Sequence, residues 1–119
     1  MDTQKTAEKW IAQWNARDVE GILSKFADDV VFRSHKAHDV VGTGEIRGKD
    51  ALRAYWNKAL ERVGDLRFDL DHAAFDEKRQ ELFIVYVASL GGQKSRACER
   101  LRFADGRVID GEALYGAPA

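Results

Sequence analysis

The chain has one cysteine and one proline in 119 residues and no excess of either charge, with 19 Lys and Arg against 20 Asp and Glu for a formal net charge of −1. Cys98 has no partner for an internal disulfide, and the opening residues Met1-Asp2-Thr3-Gln4-Lys5 lack the apolar run of a secretory signal, so a reducing cytoplasm is the expected compartment. Without a basic field there is nothing to gather nucleic acid or anionic lipid, and no nucleic-acid or membrane partner is expected. No apolar run is long enough to cross a bilayer. Pro118 is the only proline, and no Gly/Ser linker, charge block or repeat divides the sequence, so residues 1–119 are expected to form one domain. What is present is 45% hydrophobic residues, enough to close a single core that buries about two-thirds of the unfolded surface.

The apolar spacing changes once along the chain. From Thr3 to Ala16, Ala7, Trp10, Ile11 and Trp14 recur every three or four residues, which predicts an amphipathic helix. Asp18 is a natural N-cap for a short second helix reaching about Phe26. Val30-Val31-Phe32 favours an extended segment, and Ser34 to Gly44 reads as a long polar loop. Gly48-Lys49-Asp50 opens another helix through Leu52, Tyr55, Trp56, Ala59, Leu60 and Val63, with Gly64 as its stop. Beyond Gly64 the period is two, and turns at 76–79, Gly91-Gly92 and Asp105-Gly106 separate four strands of an antiparallel meander. In that register Leu66, Phe68, Leu70 and His72 share a face, as do Ala97, Glu99, Leu101 and Phe103. Val108, Asp110, Glu112 and Leu114 oppose Ile109, Gly111, Ala113 and Tyr115. Leu82 to Val87 is apolar on both faces, the pattern of a central strand covered on each side. The implied class is α+β, helices over one face of a twisted, mostly antiparallel sheet, with a concave space between the layers.

Two positions put something costly on an apolar face. Glu99 must find a cation, accept hydrogen bonds or stay protonated, because an ionised acid in an apolar setting is disfavoured by several kcal/mol; the plain structural reading is an arginine partner or a wet sheet edge. His72 is either a satisfied core histidine or a proton carrier near neutral pH. His35, His38 and Asp39 sit close together, but no metal is expected, since neither an HExxH nor a paired-cysteine spacing supports one. Trp10, Trp14, Tyr55 and Trp56 are core aromatics that can also line a pocket for a flat, apolar ligand.

Ala16-Arg17-Asp18-Val19-Glu20-Gly21-Ile22-Leu23 running into Phe26-Ala27-Asp28-Asp29-Val30-Val31-Phe32, then Gly48-Lys49-Asp50-Ala51-Leu52-Arg53-Ala54-Tyr55-Trp56, then Phe103-Ala104-Asp105-Gly106-Arg107-Val108, resembles the SnoaL-like branch of the nuclear transport factor 2-like superfamily. The resemblance implies a cone, a strongly curved sheet wrapped around N-terminal helices with an internal pocket, commonly dimeric through the outer sheet face. Relatives include ketosteroid isomerases, polyketide cyclases, dehydratases, epoxide hydrolases and association domains. Set against the isomerases, which use an Asp base with a Tyr and a protonated Asp as oxyanion donors, Ser34 falls at the base, Trp10 at the Tyr and Glu99 at the protonated Asp. Steroid isomerisation is therefore not expected. Against the dehydratases, His72, His35 and Tyr55 or Tyr115 are loose analogues, and the Asp-Arg-Asp set of the epoxide hydrolases has no counterpart.

The expected function is binding of a small apolar molecule in a pocket lined by Trp10, Trp14, Phe32, Ser34, Tyr55, Trp56, Phe68, Tyr86 and Tyr115. Glu99 and His72 would supply cofactor-independent acid/base chemistry there, of isomerase, dehydratase or cyclase type. The alternative is a non-catalytic binding or association domain filled by its own aromatics. A homodimer is expected. Any contact through Arg96, Arg100 and Arg102 would be polar unless acids such as Asp69, Asp71 or Asp110 meet them.

Overall fold

A computed structural model describes all residues, 1–119. Helix α1 (Thr3–Asn15) starts where the Asp2 side chain accepts a hydrogen bond from the Lys5 N–H, and it buries Ala7, Trp10, Ile11 and Trp14. Asp18 caps α2 (Val19–Leu23) through the Gly21 N–H. That helix stops short of Phe26, which instead opens strand β1 (Phe26–Ser34) beside Val108. The expected loop after Ser34 contains a short helix, α3 (Ala37–Val41), anchored by the fully buried Ala37, and is followed by strand β2 (Glu45–Arg47). Helix α4 (Lys49–Val63) buries Leu52, Tyr55 and Trp56. The chain then lays down β3 (Leu66–Asp76), β4 (Glu81–Leu90), β5 (Gln93–Ala104) and β6 (Arg107–Pro118).

The six strands form one mixed sheet in the order β2-β1-β6-β5-β4-β3. Only β1 and β6 run parallel; the other neighbours are antiparallel, and the sheet does not close. Helix α1 packs on β3 and α4 on β1, so the helices and the inner sheet face enclose a common core. Gly111 lies where β6 passes the ring of Phe32; an added Cβ would come within 3.0 Å of that ring and 3.2 Å of Leu101. At the β5–β6 hairpin, Asp105 and Gly106 both take positive φ, the backbone of a tight Asp-Gly turn.

Three sheet expectations are corrected. In β3, Leu70 pairs with Tyr86 but His72 pairs with Val85, leaving Asp71 as a bulge with no partner. The extra residue reverses the alternation, so Ala73 and Phe75 continue the inner face and His72 turns outward. The gain is burial of the Phe75 ring against the core in place of an imidazole. In β6, Asp110 pairs with Arg102 and Val108 with Phe103, so Ile109 is the extra residue, and Val108 points inward while Asp110 and Glu112 point out. Strand β4 is covered on one side only: Leu82, Ile84, Tyr86 and Ala88 are buried, whereas Phe83, Val85 and Val87 are half-buried on the outer face.

Candidate ligand site

A cavity of about 290 Å³ lies between the inner sheet face and helices α1, α3 and α4. Its walls are assembled from distant parts of the chain. Trp10 and Trp14 come from α1, Phe32 and Ser34 from β1, Tyr55 and Trp56 from α4. Phe68 comes from β3, Tyr86 from β4, Glu99 from β5 and Tyr115 from β6. The register explains this convergence. Ile84, Glu99, Ala113 and Ser34 form one row across four neighbouring strands, and Tyr86, Ala97 and Tyr115 form the next.

Glu99 is 3% exposed. It takes part in no ion pair, and no other side chain hydrogen-bonds its carboxyl group; burial alone pushes the carboxyl well above its ordinary range. Of the three outcomes open to it, the protonated acid is the one this setting favours. Burial raises the phenols of Tyr55, Tyr86 and Tyr115, and Glu99, once ionised at high pH, adds to each. All three stay neutral near pH 7 and serve as hydroxyl donors or acceptors.

The aromatics wall the cavity without filling it. Trp10 stacks on Phe68 at 5.7 Å and meets Tyr86 edge-on at 5.2 Å; Trp14 meets Trp56 edge-on at 5.0 Å. The indole Nε1 atoms of Trp10 and Trp14 are buried with no hydrogen-bond partner. Where the cavity meets solvent it is bordered by Lys36, Asp39 and Arg62. The Lys36 ammonium sits 4.5 Å from the centre of the Tyr115 ring, and Arg62 Nη1 donates to the Asp39 backbone carbonyl at 3.0 Å. Lys36 and Arg62 escape the sequence reading, and Asp39 enters it only as a candidate metal ligand, because charged residues in a polar stretch look like a solvated face. Arg62 carried one signal, its position three residues after Ala59 and seven after Tyr55, at the edge of the α4 stripe.

His72 is not part of this site. Its side chain is 64% exposed on the outer face, with Nδ1 2.9 Å from Asp71 Oδ1, and Asp71 Oδ2 accepts from Arg96 at 2.8 Å. His35, His38 and Asp39 do not gather into a set of three metal-binding side chains.

Residues 7–111 match the model of the SnoaL-like domain. The chain belongs to the SnoaL-like family. This SnoaL-like chain is 32% identical to a SnoaL-like protein of unknown function from Burkholderia thailandensis E264. The match covers 97% of this chain and 95% of that one, with a TM-score of 0.83. An NTF2-like protein of unknown function from Burkholderia xenovorans LB400 is 16% identical over 97% of this chain and 84% of its own, with a TM-score of 0.76. A protein of unknown function with a cystatin-like fold, from Methylobium petroleophilum PM1, is 19% identical over 98% and 79%, with a TM-score of 0.73. The last two likenesses establish the fold. No curated protein matches the sequence. The SnoaL-like family includes isomerases and cyclases, so membership fixes the scaffold and leaves the chemistry to the cavity.

Proposed function

We propose that this SnoaL-like protein binds a small, largely apolar molecule in the cavity and that neutral Glu99 donates a hydrogen bond to an oxygen of that molecule. The observation carrying this reading is a carboxyl group 3% exposed, unpartnered, and facing an aromatic-walled space. A hydrogen bond from that carboxyl to a ligand acceptor would contribute about 0.5–1.5 kcal/mol net. The cavity volume falls at the lower end of the range for small-molecule sites, roughly 300–1,000 Å³. An open space reaching Glu99 favours ligand binding over an association domain filled by its own side chains.

A neutral acid held in an apolar setting can also polarise a carbonyl, the step shared by cofactor-independent isomerisation, dehydration and ring closure. With His72 outside, no imidazole faces this donor, so binding and polarisation are the activities the site supports best. The homodimer expected from the resemblance has its natural place on the outer sheet face, where Phe83, Val85 and Val87 are half-buried and Leu114 is 46% exposed.

The test compares α-tetralone with tetralin, the same frame without the oxygen, by calorimetry and thermal shift. The ketone should bind the wild type more tightly. Glu99→Met should erase that preference and Glu99→Gln, whose amide still donates, should keep it. Raising the pH through the elevated range of Glu99 should weaken ketone binding to the wild type and leave Glu99→Gln unaffected. Equal binding of ketone and hydrocarbon to the wild type overturns the reading.

A further inference from the structure

Resting on that reading of the cavity, we infer that its ligand is a small apolar acid: an acceptor oxygen deep at Glu99, an apolar body between the aromatic walls, and a carboxylate at the mouth. Three charged side chains border the opening, Lys36, Arg62 and Asp39. None of them belongs to an ion pair of the molecule. The mouth therefore offers two uncommitted cations against one uncommitted carboxylate, and its balance favours an anion.

Both cations are held in place by contacts that leave their charge available. Lys36 rests over the Tyr115 ring at 4.5 Å, and Tyr115 itself lines the cavity, which fixes the ammonium at the border between ring and solvent. Arg62 spends Nη1 on the Asp39 carbonyl. Its remaining N–H groups keep the fork that matches a carboxylate. The interior agrees with this polarity. Glu99 as a neutral acid exerts no repulsion on an anion, whereas an ionised Glu99 would oppose one across a medium that screens poorly. Asp39 is the one group at the mouth that works against the ligand, and its removal gives the test a signal of opposite sign.

The experiment measures, by calorimetry on the whole chain, binding of a tetralone carboxylate and of its methyl ester, which keeps the ketone and the frame but not the charge. The wild type should hold the carboxylate about tenfold more tightly than the ester, two exposed charge contacts each being worth about two- to fivefold. Lys36→Met and Arg62→Met should each cost about two- to fivefold for the carboxylate and nothing for the ester. Asp39→Asn should tighten the carboxylate, and raising salt should shrink its advantage. Unchanged melting temperatures would show that the exposed substitutions spare the fold. Equal binding of acid and ester, with both weakened by Glu99→Met, would overturn the anionic ligand and leave the proposed function standing. Failure of both compounds to bind would overturn the two together.

Discussion

Glu99 and Arg100 are neighbours in β5, and the strand sends them to opposite faces of one sheet. The inner residue is an acid without a partner. The outer one is a guanidinium, 17% exposed, that reaches Glu81 at 2.8 Å, Asp110 at 2.6 Å and Glu112 at 3.7 Å. Burial lowers the basicity of Arg100, but the hydrogen bonds it donates to Asp110 and Glu81 more than reverse this. Burial would likewise raise Asp110, yet Arg100 and Arg33 bring it below its ordinary value. Two side chains joined by one peptide bond thus meet burial in opposite ways, one by giving up charge and the other by collecting counter-charges. Burial decides ionisation where partners are absent, and partners override it where they gather.

The strongest way to break this contrast is to strip the outer face. Arg100→Met leaves Glu81 and Glu112 without a cation and Asp110 with Arg33 alone, and should cost about 3 kcal/mol in urea unfolding at neutral pH. A loss below about 1 kcal/mol would reduce the cluster to ordinary screened surface pairs.

The pH dependence sharpens the contrast, because the two faces carry opposite signs. Glu99 is raised, so its contribution is full below the ordinary glutamate value of 4.5 and is lost as pH rises through the elevated one. Asp110 is lowered, so its contribution is present above the ordinary aspartate value of 3.8 and is lost as pH falls. Glu99→Gln should match the wild type near pH 4 and then gain on it by at most about 1.4 kcal/mol per pH unit. A constant difference across the range would mean that Glu99 ionises freely in the folded state.

Smaller effects mark the edges of the outer network. Arg96→Ala removes the exposed partner of Asp71 and should leave the urea midpoint almost unchanged. His72→Gln should change stability by no more than about 0.5 kcal/mol and leave ketone affinity unaltered. A fall in that affinity would show that the imidazole reaches the cavity.

Glu99 was legible in the sequence because β5 keeps a strict alternation from Ala97 through Leu101, so parity alone sets its face. His72 was misplaced because parity fails at a bulge. The clue was there: Leu70 and Phe75 are both large and apolar but an odd number of residues apart, which no unbroken strand can place on one face. The helices α1 and α4 followed from their spacing. Helix α3 left no such trace, since five residues hold one buried side chain, Ala37. The charged mouth stayed hidden for the same reason, because its residues meet only through packing of α3 against α4.

The position of β6 carries a consequence for assembly. Last of the six strands in chain order, it lies inside the sheet, between β1 and β5. During synthesis, β1 with β2 and the β3–β5 meander remain two fragments with raw edges until residues 107–118 have emerged. The hollow is sealed by that final insertion, which brings Ala113 between Ser34 and Glu99. A nascent chain stalled before it would offer β1 and β5 as templates for a foreign strand.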